Sequence, residues 1–146
     1  IDWKSIVLIA GMLPMATALE KVGLVDEVAF QVTSNLGDGG PYVVLAGLFL
    51  LTSVFTQVLS NTATAVLVAP IALATAQQLD VSPYAFLMGV AIAASMAFAS
   101  PVASPVNTLV LGAGNYTFAD FAKIGIPMAI LMFIVTMIAV PIFFPF

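Results

Sequence analysis

The sequence predicts an all-α integral membrane protein, and three observations carry that reading. Hydrophobic residues make up 62% of the 146, charged residues only 7%, and mean hydropathy is +1.19. A soluble domain carries roughly 25% charged residues, so this chain lacks the polar material to cover a surface facing water. Its apolar runs are long and continuous, which fits membrane helices and not the short alternating strands of a transmembrane barrel. A net charge of -4 offers no basic patch, which sets nucleic acid aside and leaves the lipid bilayer as the expected surroundings. With no cysteine and no histidine, disulfides, thiolate chemistry and the usual transition-metal ligands are excluded. The chain opens "IDWKSIVLIAG", with no initiator Met and no signal-peptide pattern, and is expected to be one membrane domain within a larger chain.

Taken in order, the first span is expected over 4–21, closed by Glu20 and Lys21, with a kink at Pro14. Over 24–36, Leu24, Val25, Val28, Ala29 and Val32 fall at helical spacing with Asp26, Glu27 and Gln31 between them. That fits an amphipathic helix at the membrane interface or, equally, a connector helix outside it, ended by Gly37, Gly39 and Gly40.

From 41 to 79 the chain is apolar apart from one cluster at its midpoint, Thr56, Gln57, Ser60, Asn61, Thr62 and Thr64. Each arm is nearly long enough to cross, since a span takes ~20 residues, so hydropathy alone does not separate two spans from a re-entrant hairpin. A turn among the headgroups would normally carry charge, Gly or Pro, and these residues carry none. The cluster also sits where ~10 residues of each arm would reach the bilayer centre, and both points favour the hairpin.

The segment 84–115 reads as a helix broken in its middle. "GVAIAASMAFAS" is rich in small residues that let helices approach closely in lipid. It is followed by "SPVASPVNT", in which Pro101 and Pro105 each lack an N–H and disfavour helix in the residue before. Ser followed by Pro is also a good cap and first residue. The helix is therefore expected to stop near Ala99, unwind over about 100–107, and restart near Pro105. "NYTFADFAK" is expected as a short loop, and 122–144 as the last span. Lys4 and Lys123 then share one side against Lys21 on the other, which makes the first side cytoplasmic by lysine excess and leaves the Asn115-Tyr116-Thr117 sequon unused there.

Two polar, non-helical breaks in apolar segments point to a transporter binding site. Ser60, Asn61 and Thr62 open the second hairpin arm, so its N–H groups and positive helix end can face an anion. Ser104 and Pro105 open another half-helix with the same polarity. Carbonyls from Thr56 to Leu59 and around Ala103 lose their helical partners; with the Thr56 hydroxyl and the Asn61 amide oxygen they suit a hard monovalent cation such as sodium. No Asp, Glu, His, Lys or Arg lies between 39 and 79 or between 81 and 119, so coupling through this part favours sodium over protons, and acid–base or nucleophilic catalysis lacks its usual residues. The plain alternative is that these Ser, Thr and Asn residues only bond neighbouring helices, that Pro14 is architecture and that Gln57 contacts scaffold.

"SNTATAVLVAPIA" and, some forty residues on, "SPVASPVNTLVLGAG" closely resemble the C-terminal half of the divalent anion:sodium symporters, the sodium/sulfate and dicarboxylate carrier family. The resemblance implies half of an inverted-repeat transporter, sodium-coupled, of elevator type and homodimeric, carrying sulfate, phosphate or di- and tricarboxylates across the cell membrane. It implies that Asn61 and Thr62 of the Ser60–Thr62 triplet contact the anion, with Ser104 and Pro105 facing it and Asn107 closing that segment. Thr56, the Leu59 carbonyl, Asn61 and the Ala103 carbonyl correspond to one sodium site. Relatives commonly have Thr where Ser104 stands, and the family builds its site from two halves, so an N-terminal half is expected to complete it. The competing readings are a sodium/proton or arsenite carrier of the same superfamily, and a membrane scaffold that transports nothing.

Overall fold

A computed structural model describes residues 3–146, apart from the side chains at 4, 5, 8, 9, 12, 13, 15, 16 and 19. Seven α-helices follow in order among them: α1 (Trp3–Lys21), α2 (Leu24–Leu36), α3 (Pro41–Phe55), α4 (Asn61–Gln78), α5 (Pro83–Ala94), α6 (Pro105–Ala113) and α7 (Phe118–Phe143). A short 3₁₀ turn at Gly37–Gly39 joins α2 to α3, and the described residues hold no strand.

Local chemistry explains most helix starts. Proline stands first in α3, α5 and α6, where its missing N–H costs nothing and its fixed φ suits the helix. Gly40, ahead of Pro41, has φ 81° and ψ 176°, a conformation that essentially only glycine adopts. Thr117 and Asp120 cap α7 reciprocally: the Asp120 carboxylate accepts from the Thr117 amide at 2.8 Å and from its hydroxyl at 2.7 Å. The helix therefore begins at Phe118, and part of "NYTFADFAK", expected as a loop before a span at 122, is its first turn. α1 continues across Pro14 as one helix. Lys4, one of the two lysines expected on the cytoplasmic side, has its side chain outside the described residues.

The middle of the fold is α5. It packs against α3, α4 and α7, while α2 lies on α3 and α4, and α1 on α4 and α2. Val44, Leu45 and Leu48 of α3, Val68 and Ile71 of α4, and Phe86 and Val90 of α5 form the main buried cluster. A second cluster joins Phe49, Ala93 and Met96 to α7 through Phe133, whose ring meets Phe49 edge-on at 5.3 Å. α2 turns Val25 and Ala29 inward and leaves Asp26, Glu27 and Phe30 exposed. Among the described residues the α6 backbone lies against no other helix.

Helix length decides which elements can cross a membrane. At 1.5 Å per residue, the 26 residues of α7 reach about 39 Å, beyond the ~30 Å hydrocarbon core. α7 is the one helix among the described residues both long and apolar enough to span. The 15 residues of α3 reach about 22 Å and the 12 of α5 about 18 Å, short of a full crossing. α5 also stops at Ala94, not near Ala99, and the chain is non-helical from Ser95 to Ser104. The break thus sits several residues earlier than 100–107, and Pro105 and Asn107 lie in α6.

Candidate functional site

The end of α3 runs into a turn at 56–58, and α4 starts at Asn61. Thr56 is fully buried in that turn. Its Oγ1 lies 2.6 Å from the Ala94 carbonyl oxygen, at the end of α5, and 3.0 Å from the Asn61 Oδ1. A hydroxyl has one proton. If it goes to Ala94 over the shorter distance, the Thr56 and Asn61 oxygens face one another with no hydrogen between them, an arrangement relieved either by a cation or by turning the Asn61 carboxamide over so that its Nδ2 donates to Thr56.

Gln57, the next residue, reaches the unwound segment with its whole carboxamide. Its Nε2 donates to the Met96 carbonyl at 2.9 Å and to the Ser53 carbonyl at 3.1 Å, while its Oε1 accepts from the Ala99 amide at 3.2 Å. From the other end, Asn107 Nδ2 donates to the carbonyls of Ala97 and Ser100 at 2.8 and 3.1 Å. Thr108 Oγ1 lies 2.8 Å from the Pro101 carbonyl and 3.1 Å from that of Ser104. A Cβ added to the buried Gly125 would run into the carbonyl of Phe98, so α7 touches the unwound backbone directly. These contacts explain why α5 ends early. The backbone groups that a further helical turn would have paired are taken by side chains from the 56–58 turn and from α6.

Two helix starts complete the arrangement. Ser60 caps α4, its Oγ accepting from the Ala63 amide at 3.3 Å, and the Thr64 amide bonds the Ser60 carbonyl at 2.9 Å. The amides of Asn61 and Thr62 have no partner among the described residues, and neither does the Thr62 hydroxyl. At α6, Ser104 accepts from the Thr108 amide at 3.1 Å, Pro105 has no N–H, and the amides of Val106 and Asn107 are unpaired among the described residues. The carbonyls of Leu59 and Ala103 likewise accept nothing there. Ser60 is exposed, Asn61, Thr62 and Ser104 are half-buried, and Ala103 is nearly covered.

Of the residues singled out from sequence, Thr56 and Asn61 come together, and Thr56 alone of the two also meets the Ala94 carbonyl. Ser104, Pro105 and Asn107 gather at the start of α6, whose backbone does not lie against α4 among the described residues. Both Asn107 amide hydrogens are committed to the unwound segment, so only its Oδ1 remains for a ligand. A cavity of about 410 Å³ opens between α6 and α7, lined by Phe98, Asn107, Val110, Tyr116, Phe121 and Met128 among others. The sequence reading missed the Ala94 carbonyl, the span of Gln57 and the contact at Gly125. Gln57 carried a signal, a primary amide inside an apolar run; Ala94 and Gly125 carried none.

An apolar helical chain that spends its polar residues on one unwound segment and on the turn docked against it has the makings of a membrane transporter. Residues 1–85 match the family described as citrate transporter, CitMHS, and the chain belongs to that family. It is 54% identical over 147 aligned residues to the uncharacterized transporter YfbS of Escherichia coli (strain K12), covering 100% of this chain and 24% of that protein. It is 29% identical over 136 residues to the sodium/sulfate cotransporter 1 of Chlamydomonas reinhardtii, covering 92% of this chain and 15% of that one. To the sodium-dependent dicarboxylate transporter SdcS of Staphylococcus saprophyticus it is 28% identical over 141 residues, covering 96% and 27%. The chain spans about a quarter or less of the length of these relatives. It is part of a multi-pass integral protein of the cell membrane.

Proposed function

We propose that this chain forms part of a sodium-coupled secondary transporter that moves a divalent anion, either sulfate, phosphate or a di- or tricarboxylate. The observation that carries the reading is the direct docking of the 56–58 turn on the last residue of α5, Ala94, and on the unwound 96–99 backbone through Thr56 and Gln57. It joins two non-helical elements at one place, which is how carriers build ion sites from broken helices. On this reading α3 and α4 form a re-entrant hairpin, an assignment supported by the length of α3, which is too short to cross. α5 and α6 are then the two halves of one discontinuous helix.

The unpaired amides of Asn61 and Thr62, with the hydroxyl protons of Ser60 and Thr62, face the anion at the positive end of α4. Ser104 and the start of α6 at Pro105 face it from the other half-helix, and Asn107 holds that segment in place. Sodium is held by Thr56, Asn61 and the carbonyls of Leu59 and Ala103. The Ala94 carbonyl takes the Thr56 proton, which turns the hydroxyl's lone pairs toward the cation. An N-terminal half supplies a second, inverted set, and two copies form an elevator-type homodimer. The sulfate and dicarboxylate named for the relatives supply the candidate substrates.

The test is uptake of labelled sulfate, and separately of succinate, into proteoliposomes containing the full-length protein, with and without a sodium gradient. Sodium-dependent uptake is expected for one of them, with loss in Asn61→Ala and Pro105→Gly. Unchanged uptake in both variants would refute the site assignment.

A further inference from the structure

We infer that Gln57 is a positioning residue, a side-chain substitute for the missing backbone partners of the unwound segment that ties the hairpin turn to the broken helix. The carboxamide carries the same donor and acceptor as a peptide group. Here it donates to the Met96 carbonyl at 2.9 Å and accepts from the Ala99 amide at 3.2 Å, which lie at the two ends of a four-residue stretch. Its second hydrogen goes to the Ser53 carbonyl, one turn back in α3, which fixes the side chain to its own helix. Among the described residues the backbone of 96–99 makes one hydrogen bond within itself, from the Phe98 amide to the Met96 carbonyl at 2.8 Å. A backbone shaped by so few bonds of its own depends on outside partners.

The neighbouring residue gives this docking its consequence. Thr56 holds the Ala94 carbonyl and faces Asn61, so turning the 56–58 turn away from α5 would part the Thr56 oxygen from that of Ala94 and free it to shift against Asn61. Gln57 therefore sets the geometry of the cation oxygens without touching the cation. That consequence rests on the carrier reading; the tie between turn and unwound segment does not.

Two measurements on the full-length protein test the two parts. Hydrogen exchange in peptides covering 95–104 reads the tie and needs no transport. In Gln57→Leu that exchange is expected to be about tenfold faster, with α2 and α7 unchanged. Gln57→Glu keeps the acceptor for Ala99 and loses the donor to Met96, so it falls between; it also carries the comparison if Gln57→Leu does not fold. Unchanged exchange in either folded variant overturns the inference. The consequence is read by sodium titration of labelled sulfate or succinate uptake. The half-saturating sodium concentration rises in Gln57→Leu, and less in Gln57→Glu, while the maximal rate at saturating sodium stays near that of the parent. A fall in maximal rate with unchanged half-saturating sodium means a merely structural role and overturns the consequence. A parent protein with no sodium-dependent uptake would sink the carrier reading, and the exchange data would still decide the tie.

Discussion

Thr56 and Thr75 are both fully buried threonines whose hydroxyls donate to backbone carbonyls, yet their contacts differ in kind. Thr75 bonds the Ile71 carbonyl one turn back in α4, a carbonyl already engaged by the helix ladder. Thr56 reaches across to the Ala94 carbonyl at the frayed end of α5, which no other described group serves. Thr75→Val is therefore expected to cost only about 0.6 kcal/mol, the average for a hydrogen bond inside membrane proteins. Thr56→Val leaves a buried carbonyl orphaned and is expected to cost about 1–3 kcal/mol. Unfolding of the full-length protein in detergent separates them, and Thr56→Val should also raise the half-saturating sodium concentration. Thr64 offers a third case, because its buried Oγ1 has no partner. Thr64→Val removes an unsatisfied hydroxyl at constant shape and is expected to stabilise by about 1 kcal/mol in the same assay. A stabilised variant that no longer takes up substrate would instead place that hydroxyl on the transported solute.

At the scale of elements, α7 meets the unwound segment without a side chain between them. Gly125→Ala puts a methyl group against the Phe98 carbonyl and the Ala99 amide, which is rigid backbone on both sides. Overpacking of this kind costs about 1–3 kcal/mol, so the variant should unfold earlier and speed hydrogen exchange over 95–104. This contact also marks the limit of what the sequence makes legible. Helix starts announce themselves locally: Ser60, Ser82, Ser104 and Thr117 stand at N-caps, and Pro41, Pro83 and Pro105 at first positions. The restart at Pro105 was readable for that reason, and so was the polar character of 56–62. The stop of α5 at Ala94 was not, because "AASMAFAS" contains no local breaker; Gln57, Asn107 and Gly125 impose it from distant elements. The start of α7 was missed for a smaller reason, since the Thr117–Asp120 box lies in a stretch that composition alone marks as loop.

For the molecule as a whole, surface and length argue together. A compact soluble monomer of 15.2 kDa exposes about 7,100 Å² by the usual scaling with mass, and this chain exposes 8480 Å². The excess is apolar in character: Leu109 of α6 is 75% exposed and Ile142 of α7 68%. Lipid, or further parts of the protein, would cover these groups. The same setting decides between a re-entrant hairpin and two full spans. In both, Asp38 and Asp80 flank the pair on one side of the membrane; the two differ in where the turn lies. Two spans put Val58, 80% exposed in the turn, into bulk water on the far side. A re-entrant hairpin keeps it inside the bilayer's thickness, in a cavity walled by protein. The length of α3 favours the second, so in nanodiscs, where both membrane faces are open to the reagent, a Val58→Cys variant should react with a membrane-impermeant maleimide more than about tenfold slower than Asp38→Cys. Sodium with sulfate or succinate should slow it further. Equal rates, with no protection by sodium and anion, would put the turn in open water and leave α3 and α4 as ordinary spans.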